Sequence, residues 1–138
     1  RFYLGSLIMT ASVSVEISPS ELIDKITILE IKLDRIKDAE KLVNVKHEFE
    51  TLTAARDDAL EQTPELDRLS ADLKKANENL WEVEDDIRDC ERANDFGDTF
   101  VELARAVYVK NDKRSQLKRE INELLGSSLI EEKSYAAY

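Results

Sequence analysis

The sequence predicts an all-α fold: a four-helix, bundle-like domain whose last two helices form a long antiparallel hairpin, with a short extended arm ahead of the first. Three observations predict it. Apolar residues recur at alternating three- and four-residue spacing through Leu66, Leu69, Leu73, Ala76, Leu80, Val83, Ile87 and Cys90, the seam of a long helix packed along other helices. Only 3 Gly and 2 Pro leave little material for tight-turned sheets or disordered linkers. A hydrophobic content of 42% beside a charged content of 36% fits helices with a solvated outside, and 138 residues have room for one domain with a core.

Taken in order, residues 1–11 read as an upstream arm or expression remnant, and residues 12–138 as a single helical domain. The apolar run near Met9 is short and broken by Gly5 and Ser6, which argues against a secretory signal. Ser12 to Ile17 alternates strictly, with Val13, Val15 and Ile17 on one side, so a strand or extended arm with one buried face is expected. Ile17-Ser18-Pro19-Ser20-Glu21-Leu22 then starts a helix. Ser18 accepts from the N–H of Glu21, the Glu21 carboxylate reaches back to the N–H of Ser18, and Pro19 suits the first helical position.

The first helix carries Leu22, Ile26, Leu29, Leu33 and Ile36 on one stripe and Ile23, Ile28 and Ile31 elsewhere, so it should be the most buried. Asp38 caps a second helix, from about Ala39 to Glu61, with Leu42, Val45, Phe49 and Leu52 as its apolar positions. Thr63 and Pro64 open the third helix, which should run roughly 45 Å to Ala93. Asn94 to Asp98 is a turn in which Gly97 is expected to take a positive φ. The fourth helix runs from about Asp98 to Leu125 and stops at Gly126. The tail, with Leu129 and Ile130, could pair with the Val13 arm or lie loose.

Charge narrows the function. A net charge of −10 argues against broad nucleic-acid binding or docking on anionic lipid. No run reaches the roughly 18 apolar residues of a membrane span. The single Cys90 offers neither an internal disulfide nor a metal-ligand pattern, which makes a reducing compartment the default, and its heptad position makes it a packing residue. The single His47 lacks a ligand set, so no metal and no cofactor are expected.

Two helix faces carry the polar chemistry. Asn77, Trp81, Glu84 and Arg88 share one face of the third helix; Tyr108, Asn111, Ser115, Lys118 and Asn122 share one face of the fourth. Folding back about Phe96 sets residues whose numbers sum to roughly 192 side by side, since both helices rise equally. Trp81 then faces Asn111, Glu84 faces Tyr108, Asn77 sits by Ser115, and Arg88 lies near Ala104. Glu78, Glu82, Asp85, Asp86 and Asp89 crowd one helix; Arg105, Lys110, Lys113, Arg114, Lys118 and Arg119 crowd the other. The plainer reading is mutual neutralisation across the hairpin, with a polar network fixing register. The sharper one is a pocket in which Arg88, Arg105, Arg114 and Lys118 hold an anion against Trp81 or Tyr108.

Several stretches also carry a resemblance. Ser18-Pro19-Ser20-Glu21-Leu22-Ile23-Asp24-Lys25-Ile26-Thr27, Leu80-Trp81-Glu82-Val83-Glu84-Asp85-Asp86-Ile87-Arg88, Leu103-Ala104-Arg105-Ala106-Val107-Tyr108 and Glu131-Glu132-Lys133-Ser134-Tyr135 resemble an uncharacterised bacterial family of short helical proteins. The likeness runs from Val15 to Tyr135, and Ala39 departs from a proline frequent in that family. The Asn77–Arg88 run is also similar to part of a second unassigned helical family. The resemblance implies a cytoplasmic accessory role near glycosyltransferase and surface-polysaccharide genes, and carries over no catalytic residue. Two functions are therefore expected as alternatives. One is a non-enzymatic interaction or scaffold protein, homodimeric and with a protein partner such as a glycosyltransferase. The other is a small enzyme or an anion- or nucleotide-sugar-binding sensor using Asn77, Trp81, Glu84, Arg88, Arg105, Tyr108, Asn111, Arg114 and Lys118.

Overall fold

The structure, a computed structural model, describes residues 11–138. The expected upstream arm lies outside those residues apart from Ala11. Four helices make up the domain: α1 (Pro19–Arg35), α2 (Ala39–Ala59), α3 (Pro64–Arg92) and α4 (Asp98–Leu125). No strand occurs among the described residues. The all-α bundle and its long α3–α4 hairpin are as the sequence predicts.

The first three helices begin where a side chain takes up orphan N–H groups, whereas α4 starts at Gly97 without a side-chain cap. The Ser18 hydroxyl accepts from the Glu21 amide at 3.3 Å, and Thr63 accepts from the Leu66 amide at 3.2 Å. The Asp38 carboxylate accepts from Glu40 and Lys41 at 2.9 and 3.1 Å. The reciprocal half of the expected capping box is not formed, because the Glu21 carboxylate is taken by Lys118.

The ends of α3 and α4 close alike. Asn94, at φ 52°, and Gly126, at φ 66°, are left-handed and turn the chain off the helix axis. The amides of Asn94 and Asp95 return to the carbonyls of Glu91 and Cys90 at 3.1 and 2.9 Å. Those of Gly126 and Ser127 return to Glu123 and Asn122 at 3.3 and 2.9 Å. Gly97 does not take the expected positive φ; it sits at φ −82°. Asn94 has already turned the corner, and Gly97 donates its amide to Asp95 Oδ1 at 3.1 Å.

Packing centres on α1, which touches all three other helices, whereas α2 touches α1 alone. This explains why α1 buries residues around its circumference, from Leu22 and Ile23 to Ile26, Leu29 and Ile31, while α2 buries only Val45. The main apolar cluster joins Ile23 to Leu66, Leu69, Leu73 and Ala76 of α3 and to Leu117 and Ile121 of α4, with Leu60 and Leu125 packed against it. Each large aliphatic side chain buried there contributes about 1.5–3 kcal/mol. The N-terminal arm corrects the expectation of a buried face: Val13 and Val15 are 87% and 70% exposed. The apolar surface of α1 is already covered by three helices, and no sheet edge exists among the described residues for the arm to join.

Candidate functional site

Polar residues on α1 interrupt its apolar surface at helical spacing: Ser20, Asp24 and Thr27 are all buried. Asp24 is 2% exposed and sits where α1, α3 and α4 meet. Its carboxylate accepts from Arg114 Nε at 3.0 Å and from Arg114 Nη2 in a forked pair, and from Asn77 Nδ2 at 2.9 Å. Asn77 also donates to Thr27 Oγ1 at 3.0 Å, and that hydroxyl donates back to the Asp24 carbonyl at 2.8 Å. Arg114 reaches Asn111 Oδ1 at 3.4 Å with its remaining arm. A buried carboxylate without partners would cost several kcal/mol; here its lone pairs are filled by a planar, bidentate cation and an amide. The Asp24 hydrogen bond raises the Arg114 pKa further above its ordinary value, against the lowering by burial.

One turn along, Lys118 is 8% exposed and its ammonium pairs with Glu21 of α1 and with Glu131 of the C-terminal segment, the latter at 3.5 Å. Lys118 holds the Glu131 carboxyl below its ordinary value of 4.5. The start of α1 is stitched to the end of α4 as well: the Ser20 amide, an orphan first-turn donor, is accepted by Asn122 Oδ1 at 3.0 Å.

Arg114 divides two clefts. One, of about 450 Å³, is lined by Ile28, Asn77, Trp81, Glu84 and Arg88. The other, of about 820 Å³, lies between α4 and the C-terminal segment and is lined by Tyr108, Asn111, Ser115 and Lys118. The sequence-derived residues are thus brought to one junction but onto its two sides. Arg105 stands apart, in a shallow depression on α4 with Ala106, Val109 and Lys110. Asn77 and Arg114 meet on one carboxylate, within a residue of the antiparallel register expected for the hairpin.

The expected neutralisation across the hairpin is overturned. Among the described residues no ion pair joins α3 to α4. Arg114 and Lys118 turn to α1, Arg119 turns to Glu132, and Glu82 of α3 takes Arg35 at 3.2 Å. Glu84 pairs with Arg88 one turn on rather than with Tyr108. The physical reason is α1, whose carboxylates are presented to the cations of α4 at closer range than those of α3. Sequence reasoning missed Asp24, Thr27 and Glu21 as members of the junction. The polar spacing of Ser20, Asp24 and Thr27 within an apolar helix was the signal for two of them.

His47 is exposed on α2, and no group of metal-ligating side chains occurs among the described residues. Cys90 is buried near the hairpin tip; desolvation, then Asp95, Asp89 and Asp86, push its thiol above the ordinary 9.0. No helix is long and apolar enough to cross a membrane among the described residues. With this geometry in view, residues 13–138 match a family of unknown function, DUF6165, and the chain belongs to that family. No curated protein and no solved structure matches the chain.

Proposed function

We propose that this member of a family without an assigned activity is a non-enzymatic accessory protein that works by holding a partner, with a second copy of itself as the first. Its setting, on the resemblance above, is the cytoplasmic side of glycan assembly, beside a glycosyltransferase. One observation carries the reading: the α3–α4 hairpin outruns the helix that covers it. By residue count α3 is about 43 Å long and α1 only about 25 Å. Past the end of α1, Phe96 and Val101 remain about half exposed, at 50% each. Exposed apolar residues on an otherwise charged tip are the usual mark of a docking surface.

Charge supports a self-complementary partner. Asp85, Asp86 and Glu91 on α3, and Arg105, Lys110 and Lys113 on α4, make no ion pair within the described residues. A two-fold axis beside the tip sets the acidic leg of one hairpin against the basic leg of the other, as isologous interfaces require. The test is sedimentation equilibrium of the full chain across salt. A dimer at micromolar concentration, weakened by salt and by R105E/K110E, is expected. Restoration on mixing that variant with D85K/D86K would identify the surface. A monomer at every salt concentration removes the self-pairing.

A further inference from the structure

After Gly126 the chain doubles back along α4. Glu131 meets Lys118, Glu132 meets Arg119 at 3.0 Å, and Tyr138 hydrogen-bonds Asp112 and sets its ring edge-on to Tyr108 at 5.1 Å. Little apolar burial holds this segment down: Leu129 and Ile130 are 40% and 39% exposed, and Tyr135 and Tyr138 are each 80% exposed. The Arg119–Glu132 pair is exposed and contributes little, and Glu131 is itself half exposed where it meets the buried Lys118, so the segment is docked by interactions that a competing ligand can replace.

Beneath it two recesses meet. The smaller, about 350 Å³, is lined by Ser20, Ser115, Arg119 and Asn122; the larger is the cleft of about 820 Å³ with Tyr108 and Asn111 on its wall. The segment itself forms the outer wall of both, so the volumes are those of the groove with the segment in place. Lys118 and Glu131 line both, and Lys118 is the buried cation between them. Of its two carboxylate partners, Glu21 is fixed in the first turn of α1, while Glu131 belongs to the segment that follows α4 and lies in no helix. The segment thus lays down, in order, an anion on Lys118, an anion on Arg119 and an aromatic ring on Tyr108. Lys118 and Tyr108 are roughly 15 Å apart along α4, more than one phosphate joined to a single ring covers.

We propose that the C-terminal segment stands in for a ligand, and that the groove beneath it binds a ring-bearing diphosphate ester, its phosphates on Lys118 and Arg119 in place of Glu131 and Glu132, its ring on Tyr108 in place of Tyr138. Phosphate oxygens carry more charge than the carboxylates they displace and accept from Lys118, Arg119 and the Ser115 hydroxyl at once. Asp112 and Glu21 stay near the groove, so inorganic phosphate alone gains little and the ring is needed for affinity.

The experiment is calorimetric titration of the full chain with ADP and UDP, with pyrophosphate and inorganic phosphate as comparison arms. E131Q removes the resident competitor and is expected to bind either nucleotide about fivefold tighter than the wild type. Glu102 lines the shallow depression with Arg105, away from the groove, and E102Q, an equal change of charge, is expected to leave binding unchanged. R119A, on an exposed side chain, should weaken binding with the helical circular dichroism unaltered, and K118M should abolish it. Should K118M fail to fold, R119A and Y108A carry the test, the latter lowering nucleotide affinity but not pyrophosphate affinity. On nucleotide binding, hydrogen exchange should rise over residues 127–138 while α4 keeps its protection. Equal affinities for E131Q, E102Q and wild type, or no heat with any variant at millimolar nucleotide, would overturn the assignment. So would binding of a peptide of the tail sequence in trans where the diphosphates fail. None of these outcomes depends on the oligomeric state.

Discussion

Replacing Asp24 by asparagine is the most direct way to ask whether the junction holds the bundle together. Asp24 is 2% exposed, and its carboxylate takes three hydrogen bonds, two of them from Arg114. D24N keeps the shape and removes the charge, leaving the guanidinium without its counter-ion and an amide N–H₂ facing it. Breaking a fully buried pair costs about 3–5 kcal/mol. Arg114 retains 28% side-chain exposure and regains some hydration, which places D24N near the low end, at about 3 kcal/mol. R114M is the harsher change, at about 4 kcal/mol, because it strands a carboxylate that has only 3% exposure. The double variant removes both charges and should cost far less than the sum, since the two sites share one interaction. Urea denaturation followed by circular dichroism reads all three, and D24N should lower Tm by about 10 °C for a chain of this length. A cost below about 1 kcal/mol for D24N, or additivity in the double variant, would refute a structural role for the pair.

Three further outcomes follow from local geometry. Gly126→Ala should cost about 1 kcal/mol or more, because φ 66° is left-handed, whereas Gly97→Ala should be close to neutral: its φ is −82° and a Cβ there meets Asp95 Oδ1 at an ordinary 3.4 Å. Paired thermal melts of the two variants check the contrast. Glu131 has a depressed carboxyl, so its docking on Lys118 stabilises the folded chain above pH 4.5, and that contribution is lost as pH falls through the lower folded value. Exchange of the amides after Gly126 should therefore rise, relative to α4, on acidification below pH 4.5, and E131Q should abolish the difference. The raised Cys90 thiol should react with a disulfide reagent far more slowly than a free cysteine near neutral pH, and reach the free rate once the chain is unfolded in urea.

Much of the fold was legible because its signals are local. Ser18, Asp38, Thr63 and Gly126 mark helix ends through hydrogen bonds that reach only a few residues, and α4 occupies the expected Asp98–Leu125. The Leu66–Cys90 seam is legible for the same reason: heptad spacing states which face packs. It does not state against what. Leu42, Val45, Phe49 and Leu52 gave α2 its helix but not its single neighbour, so its exposure was invisible. The destination of the charges was misread because a long cation pairs with whichever carboxylate the tertiary fold brings near, and Asp24 and Glu21 lie on a helix ninety or more residues distant in sequence from Arg114 and Lys118. The path of the tail had no periodicity to announce it. Of the candidate site, spacing placed Asn77, Trp81, Glu84 and Arg88 on one face of α3 and Tyr108, Asn111 and Lys118 on one face of α4; their division between two clefts follows from the side chain of Arg114, which turns inward to a partner on α1.

The placement of α1 accounts for the rest. Its first turn is tied to α4 through Ser20–Asn122 and Glu21–Lys118, and its second turn is tied to both hairpin helices through Asp24. A polar clasp of this kind is directional where apolar packing is not, so it fixes the register of α1 on the hairpin instead of letting it slide toward the tip. Two consequences are set by that register. The hairpin tip is left without a covering helix, which gives it surface to offer a partner. Lys118 is left between a carboxylate held in a helix and one outside any helix, the arrangement on which the proposed exchange of the C-terminal segment rests. A single anchor point therefore separates a rigid base from two adaptable ends, and D24N, by loosening that base, should disturb both together, whereas E131Q and R105E/K110E should each disturb one.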